Sequence, residues 1–144
     1  MKRLGRSILG VTLLEIMLVL AIAAMIIVMS VRYYNTANTS QQANAYLQQV
    51  EAIVAAANQM SQGTGSYSGA TTSAIQAILG TNGLTPPWGG TSPLAVKPTA
   101  GGLAITPAST PPAGICALVA GQLSGNPNYT ATNCTITYSL TTGG

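Results

Sequence analysis

The chain has 144 residues, which is enough for one small domain with an appendage but not for two ordinary domains. It has five basic residues, two acidic residues and no histidine. The titratable pairs that acid–base and nucleophilic catalysis need cannot be assembled from these residues, so we do not expect an enzyme. Two cysteines and two carboxylates are also too few to bind a metal ion, and no cofactor is expected.

The formal net charge of +3 is concentrated at the amino terminus. Three of the five basic residues lie in the first ten positions: Lys2, Arg3 and Arg6. Beyond position 10, two bases and two acids remain: Arg32, Lys97, Glu15 and Glu51. Without residues 1–10 the chain therefore carries no net side-chain charge. Because it offers phosphates no basic stripe, we expect no direct binding of nucleic acid.

Residues 11–31 form an apolar run that is interrupted only by Thr12, Glu15 and Ser30. At about 1.5 Å per residue, a helix of this length spans roughly 30 Å, the thickness of the hydrocarbon core of a bilayer. The basic residues lie on the amino-terminal side of the run. The positive-inside rule therefore predicts that residues 1–10 are cytoplasmic and that the rest of the chain lies outside.

Glu15 needs a cationic partner, because an unpaired carboxylate inside a membrane helix is costly. No Lys or Arg lies one turn away on this helix. Cutting the bond between Gly10 and Val11 would create an amino group four residues before Glu15, and that amine can supply the charge. Two alternatives make no use of the acid, namely a cleavable secretory signal and a plain single-pass anchor. Because neither alternative gives this carboxylate a partner, Glu15 argues against both.

The segment SILG/VTLLEIMLVLAI resembles the class III signal of type IV pilins and pseudopilins. The resemblance implies cleavage after Gly10 by the prepilin peptidase and N-methylation of Val11 by the same enzyme. It also implies that Glu15 forms an assembly salt bridge with the terminal amine of a neighbouring subunit. The expected partners are then other copies of the chain in a helical filament, the peptidase, and an inner-membrane assembly platform. The protein would lie in the inner membrane before assembly and in an extracellular pilus afterwards.

Two positions depart from the commonest pattern of this family. Val11 stands where many type IVa subunits have Phe, which is similar to the type IVb branch. Arg32 stands where the family often has a Pro, so unwinding of the helix by proline cannot be assumed. We predict that any local unwinding in the filament falls at residues 32–40, where Asn, Thr and Ser lower the helix propensity.

A continuous helix is predicted from Val11 to about Gln62, since neither Gly nor Pro interrupts this stretch. Its second half, residues 32–62, is predicted to be amphipathic and to cover a sheet. The apolar positions at helical spacing are Ala43, Leu47, Val50, Ile53, Val54, Ala57 and Met60.

Residues 63–144 are predicted to form a globular head. We expect a short helix over 71–80 that Gly80 ends, two strands within 93–98 and 101–107, and a helix over 111–123. In the last helix, Ile115, Leu118, Val119 and Leu123 should face inward. Alternation over 134–141 predicts a strand that buries Cys134, Ile136, Tyr138 and Leu140. The predicted fold class is α+β, the pilin fold: a long helix whose hydrophobic half protrudes and whose second half packs on a small antiparallel sheet.

Cys116 and Cys134 both lie in the part of the chain that is predicted to be extracytoplasmic, where oxidising conditions favour a disulfide. The alternative is two buried thiols. The order of a YSG turn at 67–69, PWGG at 87–90 and the two cysteines is similar to type IVb pilins. We expect Trp88 to fill the core rather than to bind a partner, and loops 81–114 to be the surface available for adhesion.

Two other functions are weighed against that of a pilus subunit. The first is a pseudopilin of a type II secretion system, but major pseudopilins tend to have a calcium-bound loop where this chain has its cysteines. The second is a membrane-anchored binding protein that never assembles. Such an anchor would tolerate the loss of Glu15, whereas a filament subunit would not.

Overall fold

The structure, a computed structural model, describes the backbone of residues 5–140 and the side chains of residues 12–140. The elements of this part of the chain are, in order, α1 Gly5–Thr64, α2 Thr72–Leu79, β1 Ala95–Thr99, β2 Gly102–Thr106, α3 Ile115–Leu123, β3 Tyr129–Thr132 and β4 Thr135–Ser139. Helix α1 packs on the antiparallel sheet of four strands, which confirms the predicted α+β class. The chain divides into two compact units, Met1–Asn38 and Thr39–Gly144.

Helix α1 is continuous over its 60 residues, as the absence of Gly and Pro between positions 11 and 62 predicts. It ends at Gly65, which takes a φ of 70° and donates its N–H to the carbonyl of Ser61 at 2.6 Å. A left-handed residue after the last turn is a common way to close a helix, and glycine adopts it at little cost. Residues 32–40 are helical in this single chain, so unwinding there remains a prediction for the filament.

The second half of α1 supplies one wall of the hydrophobic core, as its amphipathic pattern predicts. Its buried residues are Ala43, Tyr46, Val50, Ile53, Val54, Ala56 and Ala57. Leu47 and Met60 pack against the same core but are only partly buried. Spacings of three, four and seven residues put these side chains on one stripe of the helix, which explains why a long helix can be stable here.

The sheet has the strand order β1-β2-β4-β3, and each pair of neighbours is antiparallel. One row of paired residues across the four strands consists of Val96, Ile105, Ile136 and Ala131, which are buried or partly buried. The next row consists of Lys97, Ala104, Thr137 and Thr130, which are exposed or half-exposed. Successive side chains alternate between the faces of a sheet. The sheet therefore has an apolar inner face and a polar outer face.

The outward edge of β1 is closed by a side chain and by a proline. The hydroxyl of Thr72, in the first turn of α2, accepts the N–H of Val96 at 2.8 Å and donates to the carbonyl of Val96 at 3.1 Å. Two residues further along the same edge, Pro98 has no N–H to offer. Thr72 occupies the backbone groups of Val96 and Pro98 offers no N–H, so the row of hydrogen bonds through which another strand could add to the sheet is interrupted at this edge.

Helix α2 and strands β1 and β2 agree with the sequence-based expectations. Thr71 caps α2 by accepting the N–H of Ala74 with its side chain, and Gly80, with a φ of 81°, follows its last turn. Strand β2 falls within the predicted segment 101–107, and β1 overlaps the segment 93–98 but extends one residue past it, to Thr99.

Two predictions of burial were wrong. Leu118 is 40% exposed, because the inward stripe of α3 runs through Ile115, Val119 and Leu123. Leu118 lies about 100° from the centre of that stripe. Leu140 is 49% exposed because it follows the last residue of β4, and its N–H is donated to the carbonyl of Gly101.

Candidate functional site

The most unusual surface of the chain is the first half of α1. Its large apolar side chains between Leu13 and Val31 each expose more than half of their area, with Leu14, Met25 and Met29 above 70%. We call residues 12–31 the apolar segment. Helix α1 is long and apolar enough to cross a membrane. Such an exposed apolar surface is compatible with membrane anchoring.

Glu15 is the single carboxylate of the apolar segment. It lies at a shallow hollow of the helix surface whose other walls are Thr12, Ile16, Val19 and Leu20. No ion pair forms among the side chains of residues 12–140. The next base along the helix, Arg32, lies 17 residues further on, which corresponds to about 25 Å. A cation for Glu15 must therefore come from outside the apolar segment.

The predicted cleavage site lies at the edge of what the structure describes. Gly10 and Val11 belong to the backbone of α1, but the side chain of Val11 lies outside the described residues, as do residues 1–4 of the predicted leader. Cleavage, methylation and the pairing of Glu15 with the new amine consequently remain predictions.

The carboxyl end of the apolar segment is marked by Arg32, Tyr33 and Tyr34. The two tyrosines are 79% and 70% exposed. Amphipathic aromatic rings and long basic side chains are typical of the boundary between lipid and water, where the polar tip reaches water and the stem lies along apolar surface. These residues are therefore compatible with the end of a membrane helix.

A disulfide joins Cys116 of α3 to Cys134, with 4.8 Å between the two Cα atoms. Cys134 is the second residue of the tight turn between β3 and β4, and both turn residues have positive φ, 49° at Asn133 and 64° at Cys134. These angles correspond to the type I′ turn that suits two-residue hairpins. Cysteine is an unusual residue at this position, which usually requires glycine. The bridge thus fixes the tip of the hairpin on α3.

Tyr46 connects this turn to α1. Its side chain is fully buried, and its hydroxyl donates to the carbonyl of Cys134 at 3.1 Å. Burial raises the pKa of the Tyr46 phenol above its ordinary value. The ring of Trp88 meets that of Tyr46 edge to face at 5.2 Å, and its indole N–H donates to the hydroxyl of Ser109 at 3.0 Å. Trp88 therefore belongs to the packing of the head.

Sequence reasoning missed Tyr46 and strand β3. Tyr46 lies three residues after Ala43 and four before Val50, so the helical period that identified those two residues could have identified it. Strand β3 has only four residues, and the Asn–Cys turn after it lacks the glycine that normally signals a hairpin.

Residues 12–140 contain no group of three or more side chains that could hold a metal ion. Comparison with protein-family models, with curated proteins and with solved structures found no match. The architecture itself, a long amino-terminal apolar helix packed further along on a small antiparallel sheet, is compatible with a pilin-like fold.

Proposed function

We propose that the chain is a structural subunit of a type IV pilus. In this proposal a prepilin peptidase cuts between Gly10 and Val11 and methylates the new amine. The mature chain then leaves the inner membrane at an assembly platform and polymerises through its apolar segment into an extracellular filament. The observation that carries the proposal is Glu15, a carboxylate on an exposed apolar helix that forms no ion pair with any side chain of residues 12–140.

An unpaired Glu15 favours association with a second subunit that supplies a positive charge. On the membrane-insertion scale, an acid at the centre of a membrane helix costs about 3 kcal/mol, and Glu15, which lies one turn after Val11, is nearer one end and costs less. A positive amine from a neighbouring chain offsets this cost by a charge-assisted hydrogen bond in a medium of low dielectric constant. The cost returns when the neighbour slides along the helix axis, because the amine then leaves the carboxylate. Pairing therefore selects one axial register between packed apolar segments.

Cleavage controls this step because of the chemistry of the Val11 nitrogen. Before the cut, that nitrogen is part of a peptide bond and carries no charge. After the cut it is an amine that is protonated at neutral pH, and one methyl group leaves it basic. An uncut chain thus lacks the cation that Glu15 needs, and it stays in the membrane as a monomer.

The substitution Glu15→Gln tests the role of the charge while it keeps the shape of the side chain. We expect the variant to insert into the membrane normally and the yield of sheared filaments to fall at least tenfold. Ser30→Ala is the matched control, because the Ser30 hydroxyl is already used within the helix, where it donates to the carbonyl of Ile26 at 2.8 Å. Its filament yield should equal that of the wild type. A wild-type filament yield from Glu15→Gln cells contradicts the proposal.

The intact mass of the protein in sheared filaments tests processing. We expect the loss of residues 1–10, the gain of one methyl group and the loss of two hydrogens for the disulfide between Cys116 and Cys134. A full-length mass would contradict cleavage. If wild-type cells shed no filaments at all and Glu15→Gln has no effect, the chain is a membrane-anchored monomer instead.

A further inference from the structure

Between Thr39 and Leu140, the described part of the second compact unit, there are only two charged residues, Glu51 and Lys97. They have opposite signs, both are exposed, and neither forms an ion pair within residues 12–140. As folded, the head comprises residues 39–140, because the second half of α1 shares one core with the predicted head of residues 63–144. On a surface that is otherwise neutral, two lone opposite charges are the strongest features by which one head could recognise another.

Lys97 lies at one edge of the sheet. It is the middle residue of β1, the first strand in the order β1-β2-β4-β3, and it pairs with Ala104 of β2. Its neighbour Val96 is buried, so Lys97 projects from the outer face of the sheet. The positive charge thus lies at the β1 edge, on the side that faces away from the core.

Glu51 lies on the opposite side of the head. Asn44, Glu51 and Asn58 are separated by seven residues, so they follow one face of α1. At one end of this row, Gln122 of α3 donates to the side-chain oxygen of Asn44 at 3.4 Å. At the other end, the hydroxyl of Tyr67 donates to the side-chain oxygen of Asn58 at 2.6 Å. This face of α1 is therefore directed toward α3 and Tyr67.

Helix α3 contacts β3 and so places this face beside β3, whereas Tyr67 also lines a hollow with Pro98 and Thr99 of β1. The rings of Tyr67 and Tyr138 meet edge to face at 6.5 Å, and Tyr138 is paired with Tyr129 of β3, whose ring lies 5.1 Å away. The pKa of Tyr129 is raised by burial, by Tyr138 and by the negative charge of Glu51. Strand β3 is the last strand in the sheet order, about 14 Å from β1 at the usual strand spacing. Glu51 and Lys97 thus lie at opposite edges.

Strand addition is a poor alternative for contact at the β1 edge. The backbone groups of Val96 are occupied by Thr72, and Pro98 lacks an N–H. Contact at this edge must use side chains, and Lys97 is the one charged side chain there. Because the two charges occupy different surfaces, their pairing joins unlike patches of successive copies. Contacts of this kind form closed rings when the rotation between copies closes and open helical filaments when it does not, so they are compatible with a filament.

We propose that, in the filament, Lys97 of one subunit pairs with Glu51 of a neighbouring subunit, so that successive heads contact one another through opposite edges of their sheets. This inference rests on the proposed function, because it needs the apolar segments to bring the heads together. It adds a second charge pair, outside the filament core, to the pairing of Glu15.

Zero-length cross-linking tests the contact directly. A carbodiimide joins an amine to a carboxylate without a spacer, and Lys97 is the one lysine beyond position 10. Treated wild-type filaments should give a ladder of covalent oligomers whose linked peptide joins Lys97 to Glu51, and Lys97→Arg filaments should give no such ladder. Filaments whose Lys97 is linked to another carboxylate, or to Glu51 only within a monomer, overturn the inference alone. Absence of wild-type filaments overturns the proposed function as well.

Charge reversal supplies an independent test. Glu51→Lys and Lys97→Glu each place like charges in the contact, and each should lower the filament yield about fivefold, the change in an association constant that corresponds to a surface ion pair. The double variant restores opposite charges and should recover the yield to within about twofold of the wild type. Thr81→Glu, an acid at another exposed site, is the matched control and should not rescue Glu51→Lys. A double variant that is no better than the single variants overturns the pairing.

Discussion

Removal of the disulfide by the paired substitutions Cys116→Ala and Cys134→Ala should lower the free energy of unfolding of the head by about 3 kcal/mol. The bridge joins residues that are 18 positions apart, and the loss of loop-closure entropy for this length corresponds to roughly 3 kcal/mol at 25 °C. Alanine introduces no new polar group at Cys134, which is only 3% exposed. The loss should therefore come mainly from the freed chain.

A second pair of substitutions separates the bridge from the strained turn. Cys134 has a φ of 64°, a conformation that costs a residue with a side chain about 1 kcal/mol more than glycine. The variant Cys116→Ala with Cys134→Gly should consequently regain about 1 kcal/mol relative to the double alanine variant. Both variants lack the disulfide, so the difference between their free energies of unfolding measures only the cost of the positive φ at position 134.

The assay is urea unfolding of the full chain in detergent micelles, followed by tryptophan fluorescence. Trp88 is the single tryptophan and packs against Tyr46 in the head, so the signal follows the head and not the apolar segment. The denaturation midpoint and slope give the free energy. A loss below about 1 kcal/mol for the double alanine variant refutes the loop-closure reasoning. A glycine variant no more stable than the alanine variant refutes the argument about the turn.

Two further predictions concern the packing of the head. Tyr46→Phe should cost about 1 kcal/mol, because the carbonyl of Cys134 loses its buried donor. Burial raises the pKa of Tyr46, so the contribution of the neutral phenol to the free energy of unfolding is complete below about pH 10 and is lost as the pH rises above that value. In urea titrations above pH 10, the stability of Tyr46→Phe should therefore fall less steeply with pH than that of the wild type. An equally steep fall argues against this role. Gly102→Ala should prevent accumulation of folded protein, because its methyl group would overlap the carbonyl oxygen of Tyr138 on the next strand. Gly125→Ala, where a methyl group meets nothing within 4 Å, is its control, and equal thermal stability of the two variants contradicts the clash.

The sequence predicts the elements that local patterns determine. Helix α1 follows from a long stretch without Gly or Pro, and α2 follows from Thr71 before it and Gly80 after it. The unusual position of Glu15 and the pairing of two cysteines are also visible without coordinates, because each depends on residue type and predicted compartment. These features required no knowledge of which elements pack together.

Other features depend on tertiary contacts that no local pattern contains. Strand β3 is too short to be recognised by alternation, and it exists because β4 and the bridged turn hold it. The exposure of Leu118 depends on which stripe of α3 packs on the core, and α3 begins at Ile115 rather than at Pro111. The opposite placement of Lys97 and Glu51 depends on the strand order, which the sequence alone does not determine.

The closure of the β1 edge by Thr72 and Pro98 has a consequence for crowding. A protein confined to a membrane plane meets its own copies far more often than the same number of molecules in free solution. An open edge under those conditions would let neighbouring sheets fuse through their backbones, and such products are slow to separate. Occupation of the β1 edge removes one of the two edges of the sheet at which such fusion could occur.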